Sequence, residues 1–129
     1  MPLVSEHMVT DLLTVEATTP LTDAVRKMDD RRVGAALVLE GERLVGVFTE
    51  RDVLRAVAHG LTPEATVAEW MTRGPETIEP DETAEHAAVL MIHGGFRHLP
   101  VVEEGKVVGI LSIRDLMRSV LGDAAPRGV

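Results

Sequence analysis

The feature that most constrains this chain is a seven-residue segment that occurs twice. Gly46–Asp52 reads Gly-Val-Phe-Thr-Glu-Arg-Asp, and Gly109–Asp115 reads Gly-Ile-Leu-Ser-Ile-Arg-Asp, 63 residues later (109 minus 46). The same offset aligns identical residues along most of the chain without a gap: Val4 with Val67, Glu6 with Glu69, Met8 with Met71, Thr14 with Thr77, Ala24 with Ala87, Met28 with Met91, Val38 with Val101, and Arg55 with Arg118. The chain therefore contains one unit of about sixty residues written twice.

Composition limits what these two units can be. The 129 residues are 45% hydrophobic but only 2% aromatic, so the core must be aliphatic. So high an apolar fraction in a short chain indicates burial between subunits and predicts a homodimer. The net charge of −8 argues against nonspecific binding to nucleic acid or to anionic membranes. No cysteine is present, and no N-terminal apolar segment reaches the length of a signal or membrane helix, so we expect a cytoplasmic protein.

Each unit reads as β-α-β-β-α, which predicts an α/β (α+β) fold. Two apolar runs joined by a polar turn predict a hairpin in each unit, over residues 35–48 and 99–111. Brief strands are expected at 12–15 and 76–79, and the helices that follow are expected to be capped by Thr18-Thr19 before Pro20 and by Asp81. We assign repeat 1 to residues 1–61 and repeat 2 to 62–129, with a frayed tail at 123–129. Two such repeats are expected to pack by pseudo-twofold symmetry, as small sheets flanked by helices.

The doubled motif carries chemistry that has two interpretations. Thr49 and Asp52, like Ser112 and Asp115, place a hydroxyl and a carboxylate where a strand becomes a helix. An ionised carboxylate can accept from both hydroxyls of a ribose, and a Thr or Ser hydroxyl can donate or accept beside it. The same spacing is that of a capping box, in which these residues satisfy only the first turn of the helix.

The order of elements and the doubled motif resemble the tandem cystathionine-β-synthase (CBS) domain, or Bateman module, over about residues 4–121. The resemblance implies a regulatory, signal-transducing sensor that binds an adenine nucleotide (AMP, ADP or ATP) or S-adenosylmethionine in the cleft between the repeats. It also implies that the module acts on a separate, unidentified effector protein. The alternative is a ligand-independent dimerisation module whose motifs only cap helices.

Further ligand contacts follow from the same resemblance. Arg97 and His98 stand where the family often carries a His or Arg that reaches the phosphates; the alternative is a solvated Arg97 and a packed, neutral His98. Arg51 and Arg114 within the motif could add positive charge or instead form a salt bridge with Glu50 or a neighbouring acid. The adenine edge is expected at Thr14, Val15, Thr77, Ile78 and Pro100. In the first repeat, Gly34-Ala35 replaces Arg97-His98, so the two sites are not expected to be equivalent. Either the first site is empty, or it accepts a less charged adenosyl group.

No sequence pattern indicates catalysis or metal binding. There is no nucleophile paired with a base, no P-loop and no dinucleotide fingerprint, so we expect no enzymatic activity. The five histidines lack metal-ligand spacing, and no cofactor is expected to be required. The expected partners are a small-molecule nucleotide, a second copy of the chain and an effector protein, with no nucleic acid and no membrane.

Overall fold

The computed structural model describes residues 2–121, with side chains described as far as Arg118. The predicted tail at 123–129 lies outside the described residues. In chain order the elements are α1 (Val4–His7), β1 (Thr14–Glu16), α2 (Leu21–Arg31), β2 (Ala35–Glu40), β3 (Arg43–Thr49), α3 (Glu50–Ala58), α4 (Val67–Trp70), β4 (Thr72–Arg73), α5 (Ala84–Gly94), β5 (His98–Glu103), β6 (Lys106–Ser112) and α6 (Ile113–Leu121). The mixed α/β fold with small sheets flanked by helices is the one predicted.

The chain divides into two compact units. The Asp52 unit comprises residues 12–75, and the Asp115 unit comprises residues 2–11 with 76–121. These units differ from the predicted repeats in one respect: the short segment that begins each repeat lies in the unit built on the other repeat. The predicted division of the sequence into repeat 1 and repeat 2 after residue 61 stays a prediction.

The Asp52 unit contains a four-stranded sheet in the order β1-β2-β3-β4, with β1 parallel to β2 and the other pairs antiparallel. Four consecutive residues of β2, Ala35–Val38, are buried, as expected of a strand covered on both faces. Val67 of α4 is fully buried in the core of this unit. Its N–H donates to the Thr19 carbonyl at 2.9 Å, so the helix is attached by backbone bonds as well as by packing.

The Asp115 unit repeats this plan with shorter pairings. Strands β5 and β6 form the antiparallel hairpin predicted from the apolar runs. Val9 bridges Ile110 on one side of the hairpin, and Ile78 bridges Val101 in parallel on the other. The strand predicted at 76–79 is therefore reduced to one bridged residue. Val4 of α1 is fully buried in this core, with its N–H bonded to the Glu82 carbonyl at 2.8 Å.

Two predicted helix caps are wrong. The hydroxyl of Thr19 accepts a hydrogen bond from the N–H of Glu16 instead of capping α2, whose N-cap residue is Pro20. Helix α5 is capped by Thr83, whose hydroxyl accepts from the N–H of His86 at 3.1 Å, and Asp81 lies outside the helix. Several residues before each helix could cap it, and the choice depends on how the preceding loop is anchored.

Gly46 and Gly109 begin the two motifs and sit against methionine side chains. A Cβ on Gly46 would lie 2.6 Å from Sδ of Met71 and 2.9 Å from the Thr72 carbonyl oxygen. A Cβ on Gly109 would meet only side-chain atoms of Met8, the nearest being Sδ at 2.6 Å. A methionine side chain can move aside, whereas a paired backbone carbonyl cannot move without disturbing its strand.

Gly46→Ala is therefore expected to lower the free energy of unfolding by about 1–3 kcal/mol, the usual cost of overpacking. Gly109→Ala is the matched control, and it is expected to be almost neutral because Met8 can repack. Urea unfolding of both variants measures the difference. Equal losses would show that the Thr72 carbonyl is not the obstacle.

Candidate functional site

Both copies of the motif lie where a hairpin strand ends and a helix begins. Thr49 is the last residue of β3, and Ser112 is the last residue of β6. Helices α3 and α6 each begin at the next residue. The hydroxyl and the carboxylate three residues later are therefore held in the first helical turn, as their spacing predicts.

In the Asp52 unit, protein groups engage both carboxylate oxygens. Oδ2 of Asp52 accepts from the backbone N–H of Thr49 at 2.9 Å and from its hydroxyl at 3.1 Å. Oδ1 lies 3.4 Å from Nη1 of Arg55. Asp52 is only 3% exposed and is the one buried charged residue in the described part of the chain. A carboxylate buried to this extent is costly unless its oxygens have such hydrogen-bond and ion-pair partners.

The Arg55 side chain is 56% exposed and has an aromatic neighbour, Trp70. Its guanidinium carbon lies 5.8 Å from the centre of the Trp70 ring, within the range of a cation–π contact. The His59 ring centre is 5.6 Å from that of Trp70, and Nδ1 of His59 lies 2.8 Å from the Arg55 carbonyl oxygen. Trp70 comes from α4, so the short helix of the second repeat contributes to the surroundings of the first motif.

The motif of the Asp115 unit is more open. Oδ2 of Asp115 accepts from the N–H of Ser112 at 2.8 Å and from its hydroxyl at 2.9 Å, while the Asp115 N–H donates back to that hydroxyl at 3.1 Å. Among residues 2–118, whose side chains the structure describes, no protein group bonds Oδ1. Asp115 is partly exposed. One carboxylate oxygen is therefore held in place, and the other is available to a ligand hydroxyl.

The predicted phosphate-binding residues lie beside the second motif. His98 begins β5 and is the register partner of Ser112 on β6. The carbonyl of Arg97 accepts from the N–H of Ile113 at 2.9 Å, and the Arg97 side chain is exposed. Arg114 is exposed on the first turn of α6. A phosphate-binding role for these residues stays a prediction, as does the role of Arg51, which is exposed on α3.

The first repeat has an acidic side chain at the equivalent place. Gly34 stands where Arg97 stands in the second repeat, and a Cβ on it would lie 3.2 Å from Oε1 of Glu50. The N–H of Glu50 donates to the Gly34 carbonyl at 3.0 Å, which matches the Ile113–Arg97 bond. The first motif therefore has the Glu50 carboxylate beside the backbone of Gly34. The corresponding residues of the second motif are Ile113 and Arg97.

The predicted adenine edges lie on the outer strand positions of each unit. Ile78 is buried and uses both backbone groups, donating to the Pro100 carbonyl at 3.1 Å and accepting from Val102 at 2.8 Å. Backbone groups alternate sides along an extended strand, so the N–H and C=O of the exposed Thr77 face away from β5.

In the Asp52 unit, Val15 is buried and pairs with Val38 of β2, and Thr14 is exposed beside it. In both predicted adenine edges, Thr14–Val15 and Thr77–Ile78, the threonine is thus the residue whose backbone N–H and C=O point away from the neighbouring strand. Contact of either edge with adenine remains a prediction.

Sequence reasoning missed Arg55, Glu50 and Trp70. The spacing of Asp52 and Arg55, three residues apart on a helix, is one that brings opposite charges together and could have indicated their pairing. No local signal indicated Trp70, because its partner Arg55 is fifteen positions earlier (70 minus 55) and the contact exists only in the folded unit.

No cluster of three or more His, Cys, Asp or Glu side chains suited to a metal ion was found among residues 2–121. Within the same range, no helix has the length and apolar character required to span a bilayer.

Comparison with known proteins identifies the repeats. The family model described as CBS domain matches residues 4–59 and again residues 67–122. The Arabidopsis thaliana CBS domain-containing protein CBSCBSPB2 is 43% identical over 104 residues, which is 78% of this chain. The chain spans only 19% of the length of that plant relative.

Two solved structures are similar over nearly the whole chain. The CBS domain protein PAE2072 from Pyrobaculum aerophilum, complexed with AMP, is 31% identical with a TM-score of 0.85, covering 92% of this chain and 95% of that one. The CBS domain pair of protein MJ0100, in complex with 5-methylthioadenosine and S-adenosyl-L-methionine, is 26% identical with a TM-score of 0.88, covering 95% of this chain and 98% of that one. These likenesses confirm the predicted family and fold.

Proposed function

Because this chain belongs to the CBS domain family, we propose that it is a regulatory module that binds an adenine nucleotide or an adenosyl compound through the motif of its second repeat. The observation that carries the proposal is the Asp115 carboxylate, which is fixed through Oδ2 and unbonded within the described chain at Oδ1. A fixed, ionised acceptor is suited to a ribose hydroxyl, because the protein has already ordered it before the ligand arrives.

The ligands of similar proteins support the same chemistry. The similar Pyrobaculum protein was crystallised with AMP, and the MJ0100 pair with two adenosyl compounds. Both ligand classes contain an adenosine group with a ribose. The charged end of the ligand would lie on the side of Arg97 and His98, where the unit has exposed positive charge. The module would act on a separate effector protein by favouring one conformation over another when the ligand binds.

A calorimetric titration with AMP, ADP, ATP and S-adenosylmethionine tests the proposal. We expect saturable binding of at least one of them. The 2′-deoxy form of the ligand that binds should bind at least about tenfold more weakly, because it lacks one of the two hydroxyls that the carboxylate accepts from. The absence of saturable binding by all four compounds would contradict the proposed function.

A ligand-independent dimerisation module is the second candidate function. It is favoured by large apolar side chains that are exposed on the helices: Leu54 and Val57 on α3, Val89 and Ile92 on α5, and Met117 on α6. Ile92 is 71% exposed, and soluble proteins seldom leave several such side chains uncovered. The calorimetric titration separates the candidates, because this function predicts a tight homodimer in analytical ultracentrifugation but no binding of AMP in the calorimeter.

A further inference from the structure

The two motifs have the same sequence pattern but differ in what surrounds the carboxylate. Asp52 has protein donors on both oxygens, from Thr49 on Oδ2 and from Arg55 on Oδ1, and is 3% exposed. Asp115 is partly exposed, and among residues 2–118 its protein donors bond Oδ2 and not Oδ1. A ribose hydroxyl at Oδ1 of Asp52 would compete with the guanidinium of Arg55, which lies 3.4 Å from that oxygen.

Arg118 occupies the position of Arg55 in the second repeat, but it does not form the same ion pair. Both arginine side chains are exposed, that of Arg55 to 56%, but among residues 2–118 only Arg55 forms an ion pair with the aspartate of its motif. The difference has a visible cause in the neighbouring residues. Arg55 lies over the ring of Trp70, whereas the residue that corresponds to Trp70 is His7. The indole thus favours the orientation in which Arg55 reaches Asp52.

The charge beside the two motifs also differs. At the first motif, the Glu50 carboxylate lies against Gly34. At the second motif, the corresponding residues are Ile113 and Arg97. An anionic phosphate beside Asp52 would meet two carboxylates, and like charges at short distance weaken binding strongly.

We propose that Arg55, held by Trp70, keeps the first motif closed, so that the chain binds one adenine nucleotide, at Asp115. This inference rests on the proposed function and decides between the alternatives that the sequence left open for the first site. Arg55 acts here as a specificity-determining residue: it occupies the carboxylate that would otherwise accept the ribose. If Arg55 is removed, the carboxylate of Glu50 still disfavours ligands that carry a phosphate at the first motif.

The test first weakens binding at the second motif with Asp115→Asn and then replaces Arg55. Adenosine and AMP are titrated into Asp115→Asn, into the same variant with Arg55→Met, and into the same variant with Arg118→Met as the matched control. We expect the first and third proteins to bind at least about 100-fold more weakly than the wild-type chain. We expect the second to bind one adenosine per chain, with adenosine at least about tenfold tighter than AMP because of Glu50. Trp70 emission and a thermal melt verify that each variant is folded.

Titration of the wild-type chain distinguishes failure of the proposed function from failure of this inference. If no adenine compound binds the wild-type chain, the proposed function fails. If the wild-type chain binds two ligands, or if Asp115→Asn alone still binds one as tightly as the wild-type chain does, the first motif is open and only this inference fails. Failure of a folded Asp115→Asn/Arg55→Met variant to bind adenosine would likewise show that Arg55 is not what closes the site.

Discussion

Asp115→Asn is expected to weaken binding of AMP by at least about 100-fold, which corresponds to about 2.7 kcal/mol. The substitution removes the negative charge that makes hydrogen bonds to a diol strong, and it can replace the open Oδ1 acceptor with an amide donor. The side-chain oxygen of Asn can still accept from the N–H of Ser112, so the start of α6 should be retained. Isothermal titration calorimetry measures the loss directly.

The control for this prediction is the loss of a helix cap outside the motif. Thr83 caps α5 through its hydroxyl, which accepts from the N–H of His86 at 3.1 Å. Thr83→Ala is expected to lower the free energy of unfolding by about 0.5–2 kcal/mol, as other cap removals do, and to leave the affinity for AMP unchanged. If Thr83→Ala and Asp115→Asn weakened binding equally, the motif would act only through helix stability.

Phe48→Ala is expected to lower the free energy of unfolding by about 3–5 kcal/mol. Phe48 has 0% exposure and is the largest fully buried side chain among the described residues. It packs in the core of the Asp52 unit, which is otherwise built mainly from smaller aliphatic side chains such as Val38 and Ala24. These neighbours are too short to fill the space that the ring would leave. Urea unfolding followed by circular dichroism measures the effect.

The repeat itself supplies the control substitution. Leu111 stands at the position of Phe48 in the second repeat and is also fully buried, so this place in the fold accepts a leucine. Phe48→Leu is therefore expected to cost less than about 1.5 kcal/mol. If Phe48→Leu cost as much as Phe48→Ala, the core around residue 48 would require an aromatic ring, and the two units would differ in packing more than their backbones indicate.

Much of each unit could be predicted from the sequence because the signals are local or repeated. The two hairpins follow from apolar runs separated by polar turns, and the end of α5 follows from Gly95, whose φ of 72° lies in the left-handed region. The position of Thr49 and Asp52 at a helix start follows from their spacing. Because the two repeats align at an offset of 63 residues, each expectation for one repeat also applies to the other.

By itself, the sequence determined the doubled fold, its aliphatic core and the pair of carboxylates, because periodicity and spacing act over a few residues and recur. Only the tertiary structure decided which short helix completes each core and which carboxylate is closed. Val67 reaches the core of the Asp52 unit from the other repeat, and Asp52 is bonded by Arg55 while Asp115 keeps one open oxygen. Those outcomes depend on neighbours distant in sequence, such as Trp70 over Arg55, and the pattern that the two motifs share does not specify those neighbours.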